Sequence, residues 1–97
     1  MQTIEIIITG RVQKVGFRAC VRKIATDLNI TGTVINLANG KVHIFASGET
    51  MVLEKFISMI YSCPRAVVRE IKTSEIPFRS FSDFSIIKSG SWVNTGL

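Results

Sequence analysis

The sequence holds little of what catalytic centres are usually assembled from. It has a single histidine, His43, and two cysteines, Cys20 and Cys63, whose positions do not suit a metal site. No metal and no other cofactor is therefore expected. Long hydrophobic runs are missing too: Ile6-Ile7-Ile8 follows Glu5 and is stopped at Gly10-Arg11, far below the length that spans a bilayer. A soluble chain with no membrane partner is expected. No basic stretch leading into a long apolar segment and a small-residue cleavage site follows Met1, which points to a cytoplasmic protein. In that compartment a lone pair of cysteines reads as two buried thiols rather than a disulfide. Acidic residues are absent from one particular place. Arg11, Lys14, Arg18, Arg22 and Lys23 fall within thirteen residues that contain no Asp or Glu.

What is present fits one small domain. A chain of 97 residues, 46% hydrophobic, can close one core and has too little interior for two. Ile4, Ile6 and Ile8 alternate along a first strand over 3–9. Phe17, Cys20, Val21, Ile24 and Leu28 recur at helical spacing, which predicts an amphipathic helix over 16–28 with Asn29 as a left-handed stop. Strands over 31–37 and 41–47 meet across Asn39-Gly40, a dipeptide that suits a type I′ hairpin turn. Leu53, Phe56, Ile57 and Ile60 give a second helix its apolar stripe, and Pro64 forbids its continuation. Strands over 67–73 and 81–87 complete the order β-α-β-β-α-β-β.

That order predicts an α+β, ferredoxin-like sandwich: two helices packed on one face of a mainly antiparallel sheet of four to five strands. Residues 1–88 form the expected domain, with 89–97, Trp92 included, as a flexible C-terminal tail. His43 lies out of phase with Val42, Ile44 and Ala46 and so belongs to the opposite sheet face.

The segment from Gly10 to Arg18 joins the first strand to the first helix, where unpaired backbone N–H groups and the helix's positive end can converge on an anion. It lacks the Gly-Lys-Ser/Thr of a nucleotide-binding Walker loop, and its Gly10 to Gly16 spacing makes no dinucleotide fingerprint. A right-handed β-α-β crossover brings Asn36, near the end of the second strand, to the same sheet edge as this loop. With one strand between them, the separation is roughly 10 Å, about the span of a phosphoryl group with a water beside it.

The run Gly10-x-Val12-Gln13-x-Val15-Gly16-Phe17-Arg18, followed by Gly32-x-Val34-x-Asn36-x-x-Asn39-Gly40-x-Val42, resembles the acylphosphatase signature, and Phe84-x-Ile86 resembles that family's closing strand. The resemblance implies hydrolysis of an acyl phosphate. It also implies that Arg18 and the amides of a loop comprising Arg11, Val12, Gln13, Lys14, Val15, Gly16 and Phe17 hold the phosphoryl group, while Asn36 orients the attacking water. Small acyl phosphates or inorganic phosphate are the implied partners of a monomer that binds no nucleic acid. One position departs from the family pattern, where glycine usually follows the glutamine: this chain has Lys14. If the loop needs a positive φ there, lysine strains it; otherwise Lys14 adds a cation at the mouth.

Two binding modules are the alternatives. One is a phosphate-binding but catalytically poor relative, impaired by Lys14. The other is a basic RNA-binding domain, disfavoured because no strand carries the aromatic-rich pattern on which bases stack. Affinity falling steeply with salt would mark the RNA binder, and turnover of a small acyl phosphate would mark the enzyme.

Overall fold

A computed structural model describes residues 1–88; the expected tail, with Trp92, lies outside the described residues. The elements are β1 (Gln2–Arg11), α1 (Phe17–Asp27), β2 (Thr31–Asn36), β3 (Val42–Gly48), α2 (Thr50–Ile60), β4 (Val67–Ile76) and β5 (Phe84–Ile87). The sheet order is β4-β1-β3-β2-β5, antiparallel except for the β2–β5 pair. This is the expected ferredoxin-like arrangement with a fifth strand added at one edge.

Alternation in β1 does what its period of two requires. Ile4, Ile6 and Ile8 are buried in one cluster with Phe17, Val21 and Ile24 of α1 and with Leu53, Phe56 and Ile60 of α2. On the opposite face His43 Nε2 lies 2.8 Å from Glu5 Oε2, placing the histidine outside the core as its phase required.

Helix α1 ends in a Schellman motif: Ile30 N–H donates to Ala25 O at 2.8 Å and Asn29 N–H to Thr26 O at 3.1 Å, with Asn29 at φ 57°. The stop expected at Asn29 is thus realised. It turns the chain sharply into β2.

Two expectations are corrected. The hairpin between β2 and β3 does not use a type I′ turn, since Gly40 has φ 89° while Asn39 is not left-handed. Gly40 N–H donates to Leu37 O at 3.2 Å and Leu37 N–H to Lys41 O at 2.8 Å, the pattern of a type I turn closed by a left-handed glycine. Asn39 contributes its side chain instead, accepting from Lys41 N–H at 3.0 Å.

The second correction is that Cys20 and Cys63 are joined in a disulfide, not held as separate thiols. The bond links α1 to the segment after α2 across a sequence separation of 43. On chain-entropy grounds, closing a loop of that size removes about 4 kcal/mol of freedom from the unfolded chain.

Strands β4 and β5 lie at opposite edges, so the chain between them must cross the sheet. It does so at the end away from the Gly10–Arg18 loop. There Arg79 N–H donates to Thr3 Oγ1 at 2.8 Å and Ser47 Oγ donates to Arg79 O at 2.7 Å. The Arg79 guanidinium lies 4.9 Å from the Phe45 ring centroid. This crossing delivers β5 to the side of β2, where its end meets Arg18.

Candidate active site

The register places Asn36 opposite Val42, and Val42 opposite Ile8, so the end of β2 and the exit of β1 lie level across β3. The loop leaving β1 is shaped by backbone conformations that few residues adopt. Gly10 has φ 143° beside a register shift in the β1–β4 ladder, and a Cβ there would stand 2.0 Å from Val67 O. Lys14 has φ 63° and Gly16 φ 76°.

Left-handed residues interleaved with ordinary ones turn successive amides toward a common side, a concavity that suits an anion. Among the described residues, no backbone N–H from Val12 to Ala19 donates to a protein acceptor. Those amides include the first N–H groups of α1, whose first turn carries no acidic residue and whose N-cap Gly16 has no side-chain cap. The positive end of the helix dipole is therefore left uncompensated at the loop.

A cavity of about 190 Å³ opens here. Val12, Lys14, Gly16, Phe17, Arg18 and Asn36 line it together with Ala19 and Ile86, which sequence reasoning did not assign to the site. Ile86 sat within the closing-strand match, but only the crossing of the sheet shows that it forms a wall. Arg18, half-buried on the first turn of α1, is steadied by a long contact of 3.4 Å from Nη1 to Ile87 O at the end of β5. No carboxylate pairs with it among the described residues, so most of its donor fork stays available. Asn36 Oδ1 is buried without a hydrogen-bond partner. Such an orphaned acceptor is costly in a folded protein, and functional sites are where one is retained.

The rest of the expected loop divides by role. Gln13 turns its side chain away from the cavity: Nε2 donates to Leu37 O at 2.8 Å and to Lys41 O at 2.9 Å, clamping the loop to the β2–β3 hairpin. That clamp couples the loop to the strand that carries Asn36. Arg11 is exposed and outside the cavity lining, and Val15 packs against the core.

Lys14 answers the question raised by its departure from pattern, since a positive φ is required and lysine adopts it. Two effects then compete in Lys14→Gly. Relief of left-handed strain, about 1 to 2 kcal/mol, outweighs the added freedom of a glycine in the unfolded chain, about 0.4 to 1 kcal/mol. The variant should be more stable by about 0.5 to 1 kcal/mol in thermal or urea denaturation. Loss of an exposed cation from the cavity lining should meanwhile weaken inhibition by inorganic phosphate about two- to fivefold.

Residues 4–86 match the family model described as acylphosphatase. An acylphosphatase of Archaeoglobus fulgidus is 39% identical over 87 residues, covering 89% of this chain and 98% of that one. One from Ligilactobacillus salivarius is 42% identical over 88 residues, covering 89% and 98%. The crystal structure of acylphosphatase from Bacillus subtilis superimposes with a TM-score of 0.87 at 34% identity, covering 90% of this chain and 99% of the other.

Proposed function

The chain belongs to the acylphosphatase family and hydrolyses acyl phosphates to a carboxylate and inorganic phosphate, and from that premise we propose that Arg18 and Asn36 carry the reaction on the Val12–Phe17 loop. The loop amides and the Arg18 guanidinium hold the phosphoryl oxygens. Asn36 Oδ1 accepts a hydrogen bond from the attacking water and orients its lone pair toward phosphorus. As the new P–O bond forms, the bond to the acyl oxygen breaks and its electron pair leaves on the carboxylate. The water's proton passes to the phosphate product or to solvent.

The leaving group explains why so few groups suffice. A carboxylic acid has a pKa of about 4, so its anion departs at neutral pH without a general acid. Phosphoryl transfer then depends on alignment and charge neutralisation, which fixed N–H dipoles and a guanidinium supply in this reading without a metal ion. The observation that carries the proposal is the shared cavity, lined by Arg18, Asn36 and the loop, with the guanidinium paired to no carboxylate among the described residues, the loop amides unpaired and Asn36 Oδ1 without a protein partner.

The same reading gives the protein small acyl phosphates and inorganic phosphate as partners, acting as a monomer without nucleic acid. No helix of the described residues is long and apolar enough to cross a membrane. Cytoplasmic residence stands in tension with the Cys20–Cys63 bond, because a mesophile's cytosol keeps thiols reduced, whereas hyperthermophile cytosol tolerates disulfides.

Turnover of benzoyl phosphate, with and without a chelator, tests the mechanism. Hydrolysis unaffected by chelation and competitively inhibited by inorganic phosphate is expected. Activity that disappears with the chelator and returns with a divalent cation would overturn the metal-free route.

A further inference from the structure

A second arginine stands beside the loop at Gly16, outside the cavity lining and contributed by a distant part of the sequence. Arg65 Nη2 lies 3.8 Å from where a Cβ on Gly16 would be, so its guanidinium reaches the flank of the anion-binding loop. Its backbone has φ 66°, directly after Pro64 in the turn leading to β4. A positive φ after proline in a turn is ordinarily the place of glycine. Strain is thus accepted at a position where the side chain arrives beside Gly16. Among the described residues no carboxylate pairs with Arg65, and the residue is exposed. The disulfide supplies the tether: Cys20 lies two residues after Arg18 and Cys63 two residues before Arg65, so one covalent bond ties the turn bearing Arg65 to the helix bearing Arg18.

We propose that Arg65 is a specificity-determining residue of this site, a rim guanidinium that receives an anionic group on the acyl part of the substrate and is held there by the Cys20–Cys63 bond. The inference rests on the loop and Arg18 holding the phosphoryl group. Arg18 and the amides neutralise the phosphoryl end, so a cation beyond Gly16 is placed for charge elsewhere on the molecule. Lys14, which unlike Arg65 lines the cavity itself, adds to the same field. The preferred substrates are then acyl phosphates whose acyl group bears a second negative charge.

The test compares 3- and 4-carboxybenzoyl phosphate with benzoyl phosphate, a rigid set differing only in the extra carboxylate. The readout is the ratio of kcat/KM for each charged substrate to that for the uncharged one. Arg65→Gly should lower this ratio about three- to fivefold for at least one isomer, the range of an exposed ion pair, with the loss in KM. Arg65→Lys should retain most of the preference. Glycine also relieves the left-handed backbone, so the Arg65→Gly protein should melt no lower than wild type, separating lost recognition from lost folding.

Reducing the disulfide in wild type, while benzoyl phosphate is still turned over, should produce the same fall. An unchanged ratio in Arg65→Gly overturns the role of Arg65, and an unchanged ratio after reduction overturns the tether. Failure of the underlying reading looks different: benzoyl phosphate turnover that survives Arg18→Ala would remove the phosphoryl site itself and this inference with it.

Discussion

Arg18→Ala should cost turnover and phosphate inhibition together. The side chain stands on the first turn of α1, half-buried, with Nη1 steadied by Ile87 O and its remaining donors unpaired by any carboxylate among the described residues. A charge-assisted contact of this kind contributes about 2 to 3 kcal/mol, and a bidentate guanidinium clamp on an oxyanion stands at the upper end. We expect kcat/KM for benzoyl phosphate to fall by about a hundredfold or more, with the inhibition constant for phosphate rising in parallel.

Parallel loss is the informative feature of that result, because Arg18 holds a group present in both substrate and product. Arg18→Lys should recover part of the binding and little of the rate, since an ammonium supplies charge without the planar fork. Stability should change little in either variant, as the replaced contact to Ile87 is long at 3.4 Å. Wild-type kinetics in Arg18→Ala would dismiss the guanidinium from the site.

Much of this site was legible because it depends on chain path rather than on detailed packing. Once the first β-α-β unit is right-handed, the β1 exit and the β2 end must lie at one sheet edge, and the observed register sets Ile8, Val42 and Asn36 level. The glycines and the acid-free basic run marked the loop in the same way. The sequence pattern failed where side chains decide between near-equal local options. Asn39-Gly40 was compatible with a two-residue turn, yet the Asn39 side chain bonds Lys41 N–H and only Gly40 turns left-handed.

Gln13 belonged to the loop by sequence, but its side chain is spent on the hairpin carbonyls of Leu37 and Lys41. Cys20 and Cys63 lie too far apart in sequence for spacing to reveal their bond. Only the packing of α1 beside the end of α2 brings them together, and Arg65 comes to the flank of Gly16 by the same route. Lys14 was identified as a departure, and its φ decides between strain and comfort in favour of strain.

Asn36→Ala separates alignment from binding. In the reading proposed here its amide oxygen touches the nucleophilic water and not the phosphoryl oxygens, so phosphate inhibition should stay within about twofold of wild type. Misplacing a nucleophile by about 1 Å costs on the order of a hundredfold, and kcat should fall by about that factor. Stability supplies a second, independent readout. Asn36 Oδ1 has no hydrogen-bond partner within the protein, so the variant gives up only its bond to the water it aims. Removing the amide should therefore leave stability within about 1 kcal/mol of wild type, measured by urea denaturation. A structural asparagine would behave the opposite way, losing stability with its contacts and reducing phosphate binding as the end of β2 loosened. A variant that is about as stable, binds phosphate and scarcely turns over would establish that the acceptor at the end of β2 serves to aim a water.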